Sequence, residues 1–359
     1  MTTTTEKPVA TQALITPDAP GIGGKTASLI ETAARLVALA AVVTFFAFKV
    51  PNFAFLSAGN IENILMQSAV YAMCGLGMTM IMIAGGIDLA AGSTIALSMV
   101  LTALVLHSGR EIENGGTGSL AAHPLLWTLL AVATGTAAAA LVGFVQGALI
   151  TGLRLVPFIV TLGGMLAIRG TTEQIANNQE IGGPSSNWLA MHLMFPVQGR
   201  TFNWEIAPPG VWATLVAAVI AAGILRYTKL GRRIYAIGSS EATARLCGVP
   251  VVRTKIIVYA IAGVFTGLAG VLEFSKLNLG QPTGAVSYEL YVIAACVIGG
   301  TSLMGGVGTI FGTVIGALMI GTLYAGTQQA RWDPSTQQIV IGITIIVAVA
   351  LDGLRPRRQ

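Results

Sequence analysis

Asp88 is a lone acid in an otherwise glycine and apolar stretch, Gly85-Gly86-Ile87-Asp88-Leu89-Ala90-Ala91-Gly92. At mid-membrane such a carboxylate costs about 2.5–3.5 kcal/mol, so it persists only where it is solvated, paired or capping a broken helix. Two roles fit it: a pathway or gating group, or the N-cap of the following helix, with Ser93 as a competing cap. A second chemical set lies in residues 226–255, RYTKLGRRIYAIGSSEATARLCGVPVVRTK. Ser240 suits an N-cap, Glu241 suits the positive end of a helix, and Arg245 stands four residues on to pair with it. Gly248 fits the C-terminal cap, and Pro250 prevents continuation. Ala242, Leu246 and Val249 are at apolar helical spacing. This short helix is either a docking surface for a partner or part of a solvated loop whose charges fix topology.

Other chemistry is thin. Ala19-Pro20-Gly21-Ile22-Gly23-Gly24-Lys25-Thr26 fits a relaxed phosphate-loop pattern. A working loop needs a strand before it and a helix after it within an α/β domain; here a polar tail runs into an apolar stretch. His107, His123 and His192 have no paired acid or nucleophile at useful spacing, and neither H-E-x-x-H nor G-x-S-x-G occurs. Cys74, Cys247 and Cys296 are scattered, which is neither a disulfide framework nor metal-ligand spacing. No catalytic residue, metal or cofactor is expected in this chain. Glu62, Glu273 and Glu289 fall near span ends and read as interfacial.

The elements that position these groups must live in lipid. Of 359 residues, 54% are apolar and 10% charged, against about 25% charged in a soluble domain. Mean hydropathy is +0.76. A soluble globule cannot hide that much apolar surface, which excludes a cytosolic enzyme, a nucleic-acid binder and a disordered chain. Ten apolar runs follow in order: Leu29–Phe48, Ile64–Ala84, Thr94–His107, Leu125–Ile150, Pro157–Arg169, Val211–Leu225, Lys255–Leu272, Tyr288–Ile298, Thr309–Thr327 and Gln338–Leu351. Ten spans put both termini on one side. With that side in the cytosol, it collects fourteen of the twenty basic residues, which supports N-in and C-in. The expected fold is an all-α integral membrane protein of about ten transmembrane helices, with weakly duplicated halves and interrupted helices. Its parts are a polar tail 1–28, a transmembrane domain 29–353 and a basic tail 354–359. The domain carries a cytosolic loop 226–255 and an outer insert 170–210.

The duplication rests on one echo. Gly85–Gly92 and Gly299–Gly306 both read G-G-x-[D/S]-L-x-x-G at an offset of 214. Interrupted helices of this kind line the pathway in many transporters. Glycines four apart at Gly308/Gly312/Gly316, Gly263/Gly267 and Gly143/Gly147 read as close helix packing. Packing within the subunit is the default, and a dimer contact is open for one of them.

Four segments together resemble the permease subunits of ribose-type, monosaccharide ABC importers: G-G-I-D-L-A-A-G-S at 85–93, L-V-P-F-I-V-T-L-G at 155–163, G-R-R-I-Y-A-I-G-S-S-E-A-T-A-R-L-C-G-V at 231–249 and G-G-T-S-L-M-G-G-V-G-T-I-F-G at 299–312. The resemblance covers roughly 33–353 and departs at Ser240, where the family often has Asn, and at Ala90-Ala91, where Ser-Val is common. It implies the inner-membrane component of a binding-protein-dependent bacterial importer that works by alternating access. Its implied partners are a second copy, a cytosolic sugar ABC ATPase that alone uses ATP and Mg, a periplasmic sugar-binding protein, the bilayer and a monosaccharide or related polyol. No nucleic acid is implied.

The same resemblance makes Glu241–Leu246 a coupling helix within the set Arg232, Arg233, Ser240, Glu241, Arg245, Leu246 and Gly248. The expected pathway or hinge residues are Gly85, Gly86, Asp88, Gly92, Gly299, Gly300, Ser302 and Gly306. The rival readings are an ion-coupled secondary transporter and a passive channel. Both lack a use for the capped cytosolic helix.

Overall fold

The computed structural model describes residues 22–115, 123–183, 193 and 207–353. The tails 1–21 and 354–359 and most of the insert 184–206 lie outside these residues, as does part of the phosphate-loop-like segment. Every predicted apolar run is helical: α1 (Ile22–Lys49), α2 (Ala58–Ile83), α3 (Ala91–Gly115), α4 (Pro124–Gly152), α5 (Pro157–Ile175) and α6 (Pro209–Tyr227) come first. Two helices follow in the basic loop, α7 (Lys229–Ser239) and α8 (Glu241–Leu246), and then α9 (Val251–Leu277), α10 (Tyr288–Ile298), α11 (Ile310–Gln329) and α12 (Pro334–Gly353). The described strands are β1 (Ile181–Gly182) and β2 (Leu279–Gly280), which pair antiparallel. Prolines 124, 157 and 209 open α4, α5 and α6, where the missing N–H is an orphan in any case.

Among the described residues, seven helices are long and apolar enough to cross a membrane: α1, α2, α3, α4, α6, α9 and α11. Helix α10 is apolar but has only 11 residues, about 16 Å at 1.5 Å per residue against a core of about 30 Å. Helix α2 is the centre, 89% buried along its apolar window, whereas α1 is 11% buried and lies at the periphery.

Helix α9 is the axis against which α2 and α3 align. Cys74 of α2 meets Thr266 and Gln67 meets Lys276, so α2 runs antiparallel to α9. Gly86, just before α3, meets Tyr259, while Ile95 and Ser98 meet Gly270, so α3 runs with α9. Small residues permit the closest approaches. A Cβ on Gly143 would strike the Tyr259 backbone, one on Gly147 would lie 2.9 Å from the Ile256 Cα, and one on Gly263 would strike Ala139. Gly143/Gly147 and Gly263/Gly267 thus join α4 to α9 within the subunit. Of the third glycine series only Gly312 and Gly316 are in α11, packed on Gly299 and Ala295 of α10; Gly308 precedes the helix.

Candidate functional site

Both glycine runs are turns between antiparallel helices, not breaks within one helix. In each, a helix ends in the same way. Gly85 has φ +77 and donates to the Met82 carbonyl at 2.9 Å, while Gly86 donates to Ile81 at 2.9 Å. Gly300 has φ +85 and donates to Val297 at 2.8 Å, while Thr301 donates to Cys296 at 2.9 Å. This left-handed glycine closure satisfies the last carbonyls of α2 and of α10. The caps therefore correspond at an offset of 215, one more than the sequence echo.

The polar members keep the echo's own register. Asp88 Oδ1 accepts from the Ala90 N–H at 2.9 Å, and Ser302 Oγ accepts from the Met304 N–H at 3.2 Å. Each side chain braces a turn two residues on. Asp88 is 8% exposed, and this bond precedes α3 rather than capping its first turn. Gly92 is the second residue of α3, against Glu289 and Ala285.

The two turns meet each other through α7. The Gly306 N–H donates to the Ile83 carbonyl, the last residue of α2, at 2.9 Å. A Cβ on Gly305 would lie 3.2 Å from the Gly85 Cα. Gly238 of α7 sits where a side chain would strike both the Ile83 carbonyl and Gly306, and the Tyr235 hydroxyl donates to the Gly308 carbonyl at 2.8 Å. Gly299 packs on Gly312, and Arg35 of α1 approaches Gly300 at the C-terminal end of α10, where helix carbonyls favour a cation. Helix α7 has no counterpart in the sequence reading, which placed one helix in this loop. Its signal was the Thr228 cap, which accepts from the Gly231 N–H at 3.2 Å, together with Leu230, Ile234 and Ile237 at helical spacing.

Helix α8 has the expected limits. Ser240 Oγ accepts from the Thr243 N–H at 3.2 Å. Gly248, at φ +77, closes the helix with a bond from its N–H to the Arg245 carbonyl at 3.1 Å. Glu241 bonds Arg245 at 2.9 Å and also Lys255 of α9 at 2.6 Å. The Lys255 bond, ahead of the Arg245 contact, holds the Glu241 carboxyl below the usual carboxylate range.

The apolar face of α8 differs from the expected one. Ala244 is the residue buried with Ile237 and Val251, while Ala242 is exposed and Leu246 is 89% exposed. Arg232 is exposed and Arg233 half-buried on the adjoining helix.

Glu273, four residues before the end of α9, is enclosed by protein. It is 3% exposed, accepts from the Tyr288 hydroxyl at 3.0 Å, and pairs with Lys276 at 2.9 Å. Lys276 also donates to Gln67 at 2.6 Å. Among the described residues no group of three or more His, Cys, Asp and Glu side chains is placed to hold a metal.

A bundle with seven helices of membrane-spanning length among the described residues, its glycine turns gathered beneath a capped basic loop, is a multi-pass membrane protein. The family described as "Branched-chain amino acid transport system / permease component" matches residues 60–349, and the chain belongs to it. It is similar to the ribose import permease protein RbsC of Escherichia coli (strain K12), 36% identical over 318 residues, 89% of this chain and 92% of that protein. RbsC of Bacillus subtilis (strain 168) is 38% identical over 301 residues, 84% of this chain and 87% of that one. The L-arabinose transport system permease protein AraH of E. coli (strain K12) is 33% identical over 324 residues, 90% of this chain and 91% of that one. No solved structure matches the chain. The chain is a multi-pass protein of the inner membrane.

Proposed function

We propose that this chain is the permease subunit of an ABC importer for a monosaccharide, working as a homodimer with a cytosolic ATPase and a periplasmic binding protein. The relatives named for ribose, arabinose and galactose support the substrate class. ATP and Mg act only in the ATPase, so this chain is not an enzyme and holds no cofactor. Ten crossings place both termini in the cytosol, with the tails 1–28 and 354–359 and the loop 226–255 there and the insert 170–210 outside. Helix α10 completes its crossing with the turn residues 281–287 before it.

One observation carries the coupling role. Leu246 is 89% exposed on a helix whose cap, ion pair and Ala244 already anchor it. Its apolar side chain is left for a partner. The ATPase grips α8 at Glu241, Arg245 and Leu246, flanked by Arg232 and Arg233. Motion then passes through α7 at Gly238 to the turns at Gly85, Gly86, Asp88 and Gly92 and at Gly299, Gly300, Ser302 and Gly306. ATP shifts the equilibrium because the closed ATPase pair binds one permease state better than the other.

The test pairs Glu241→Lys with Arg245→Glu in the assembled importer. Uptake is expected to be lost while ATP hydrolysis continues. Normal coupled uptake would remove α8 from the mechanism. Uptake by the permease alone would favour an ion-coupled transporter or a channel.

A further inference from the structure

The chain between β2 and α10 is a second built site. Gly280 packs on Met99 and Ala103 of α3, whereas Ala285 reaches Gly92. In five residues the chain thus descends about 10–16 Å along α3, at 1.5 Å per residue. Ala285 (φ 53) and Ser287 (φ 67) hold left-handed backbone that such residues seldom adopt. Helix α10 therefore begins inside the protein, with its positive end and its first polar side chains at that depth.

Polar side chains gather there. Arg169 of α5 donates to the Pro282 carbonyl at 2.8 Å and to the Gly284 carbonyl at 2.7 Å. Glu289, half-buried against Gly92, attracts Arg169 but forms no ion pair among the described residues. On the same helix as Glu289, Tyr288 and Tyr291 meet Tyr71 of α2. Tyr71 and Tyr288 stand edge to face at 5.1 Å, and Tyr291 lies 5.8 Å from Tyr71. The Tyr71 hydroxyl is fully buried beside Gln67, without a hydrogen bond of good geometry. Behind the rings lies the Glu273–Lys276–Gln67 network. A buried ion pair adds little net stability over an apolar replacement, so stability alone does not account for it. Val286 and Leu290, at the open side, are 63% and 47% exposed.

Aromatic rings beside carboxylate, guanidinium and amide groups fit a small polyol, with ring faces for C–H surfaces and forked polar groups for adjacent hydroxyls. We infer that the segment 281–289 is a monosaccharide contact site of this permease, with Glu289 and Arg169 binding hydroxyls and the edge of Tyr288 beside them. This deepens the import reading and rests on it.

The test is thiol protection in the ATPase–permease complex held in nanodiscs. Val286→Cys is made in a Cys247→Ser background, since Cys74 and Cys296 are buried. Labelling by a water-soluble methanethiosulfonate is timed with D-ribose, L-arabinose or D-galactose at high millimolar concentration. A sugar at ten times its dissociation constant is expected to slow labelling about ten-fold. Tyr227→Cys, at the far end of α6, is expected to label at one rate throughout. Glu289→Gln, which keeps the shape, is expected to raise the half-protecting concentration roughly ten-fold or more, the loss of a charged hydrogen bond.

Equal labelling of Val286→Cys with and without all three sugars overturns the site. So does an unchanged half-protecting concentration in Glu289→Gln. Sugar uptake by the same complex with ATP is measured in parallel: if uptake occurs without protection only this site fails, and if no sugar is taken up the import reading fails.

Discussion

The α7–α8 end and the 279–291 segment are built from opposite materials. At the first, contact is backbone on backbone. Gly238, Gly305, Gly306 and Gly85 meet with no side chain between them, and Gly306 bonds directly to the end of α2. At the second, side chains do the joining: Glu273, Lys276, Gln67 and Tyr288 tie α2, α9 and α10. Backbone contacts of this kind have one steric fit and transmit a displacement with little give. Side-chain networks can exchange partners with a ligand. On the proposed reading, the first is a mechanical end and the second a recognising one.

The largest break in this contrast is at Glu273. Glu273→Leu leaves Lys276 desolvated without its carboxylate, and removing one partner of a buried pair costs about 3–5 kcal/mol. Thermal unfolding in detergent is expected to fall by several degrees, and Glu273→Leu with Lys276→Met is expected to recover most of the loss. A double variant as unstable as the single one would refute the pairing account.

The next effect lies at the mechanical end. Gly238→Ala forces a methyl group onto the Ile83 carbonyl and Gly306, and overpacking of this kind costs about 1–3 kcal/mol. Gly182→Ala, with open space around it, is the control and is expected to be silent in both melting and uptake. Equal melting temperatures for the two variants would show that the turns do not bear on α7.

A smaller effect isolates the cap. Ser240→Ala removes the acceptor for the Thr243 N–H, about 1 kcal/mol of local helix stability. Amide exchange of α8 is expected to quicken while that of α9 stays unchanged.

The sequence made these two ends legible to different degrees. Helix α8 was readable because its signals are local: Ser240 before it, Gly248 and Pro250 after it, and Glu241 four residues from Arg245. Its buried face was not, because Ala244 is chosen by Ile237 and Val251 on neighbouring helices. Helix α7 was hidden because Gly231, Gly238 and Ser239 look like breakers, and the use of Gly238 appears only when Ile83 and Gly306 are beside it. The partners of Glu273 were not legible, because Gln67, which shares Lys276 with it, lies in another helix, 209 residues before that lysine. The ten apolar runs were legible as helices because composition and period are local quantities. The depth at which α10 begins was not, since Ala285 against Gly92 is a tertiary fact.

The smallest expected effect concerns Glu241 and pH. Its carboxyl is held below the ordinary range by Lys255 first and Arg245 after it, so in the folded state it binds its proton less readily than in the unfolded chain. Stability from this group is then complete above the unfolded value of about 4.3. It is lost as pH falls through the lower folded value. The side chain is 41% exposed, so solvent screening keeps the contribution slight. Unfolding followed across that acidic window is expected to show a shallower loss of stability in Glu241→Gln than in the parent chain, with the two curves parallel near neutrality. A steeper loss in the variant would mean that the carboxylate is repelled in the folded state, against its bonds to Lys255 and Arg245.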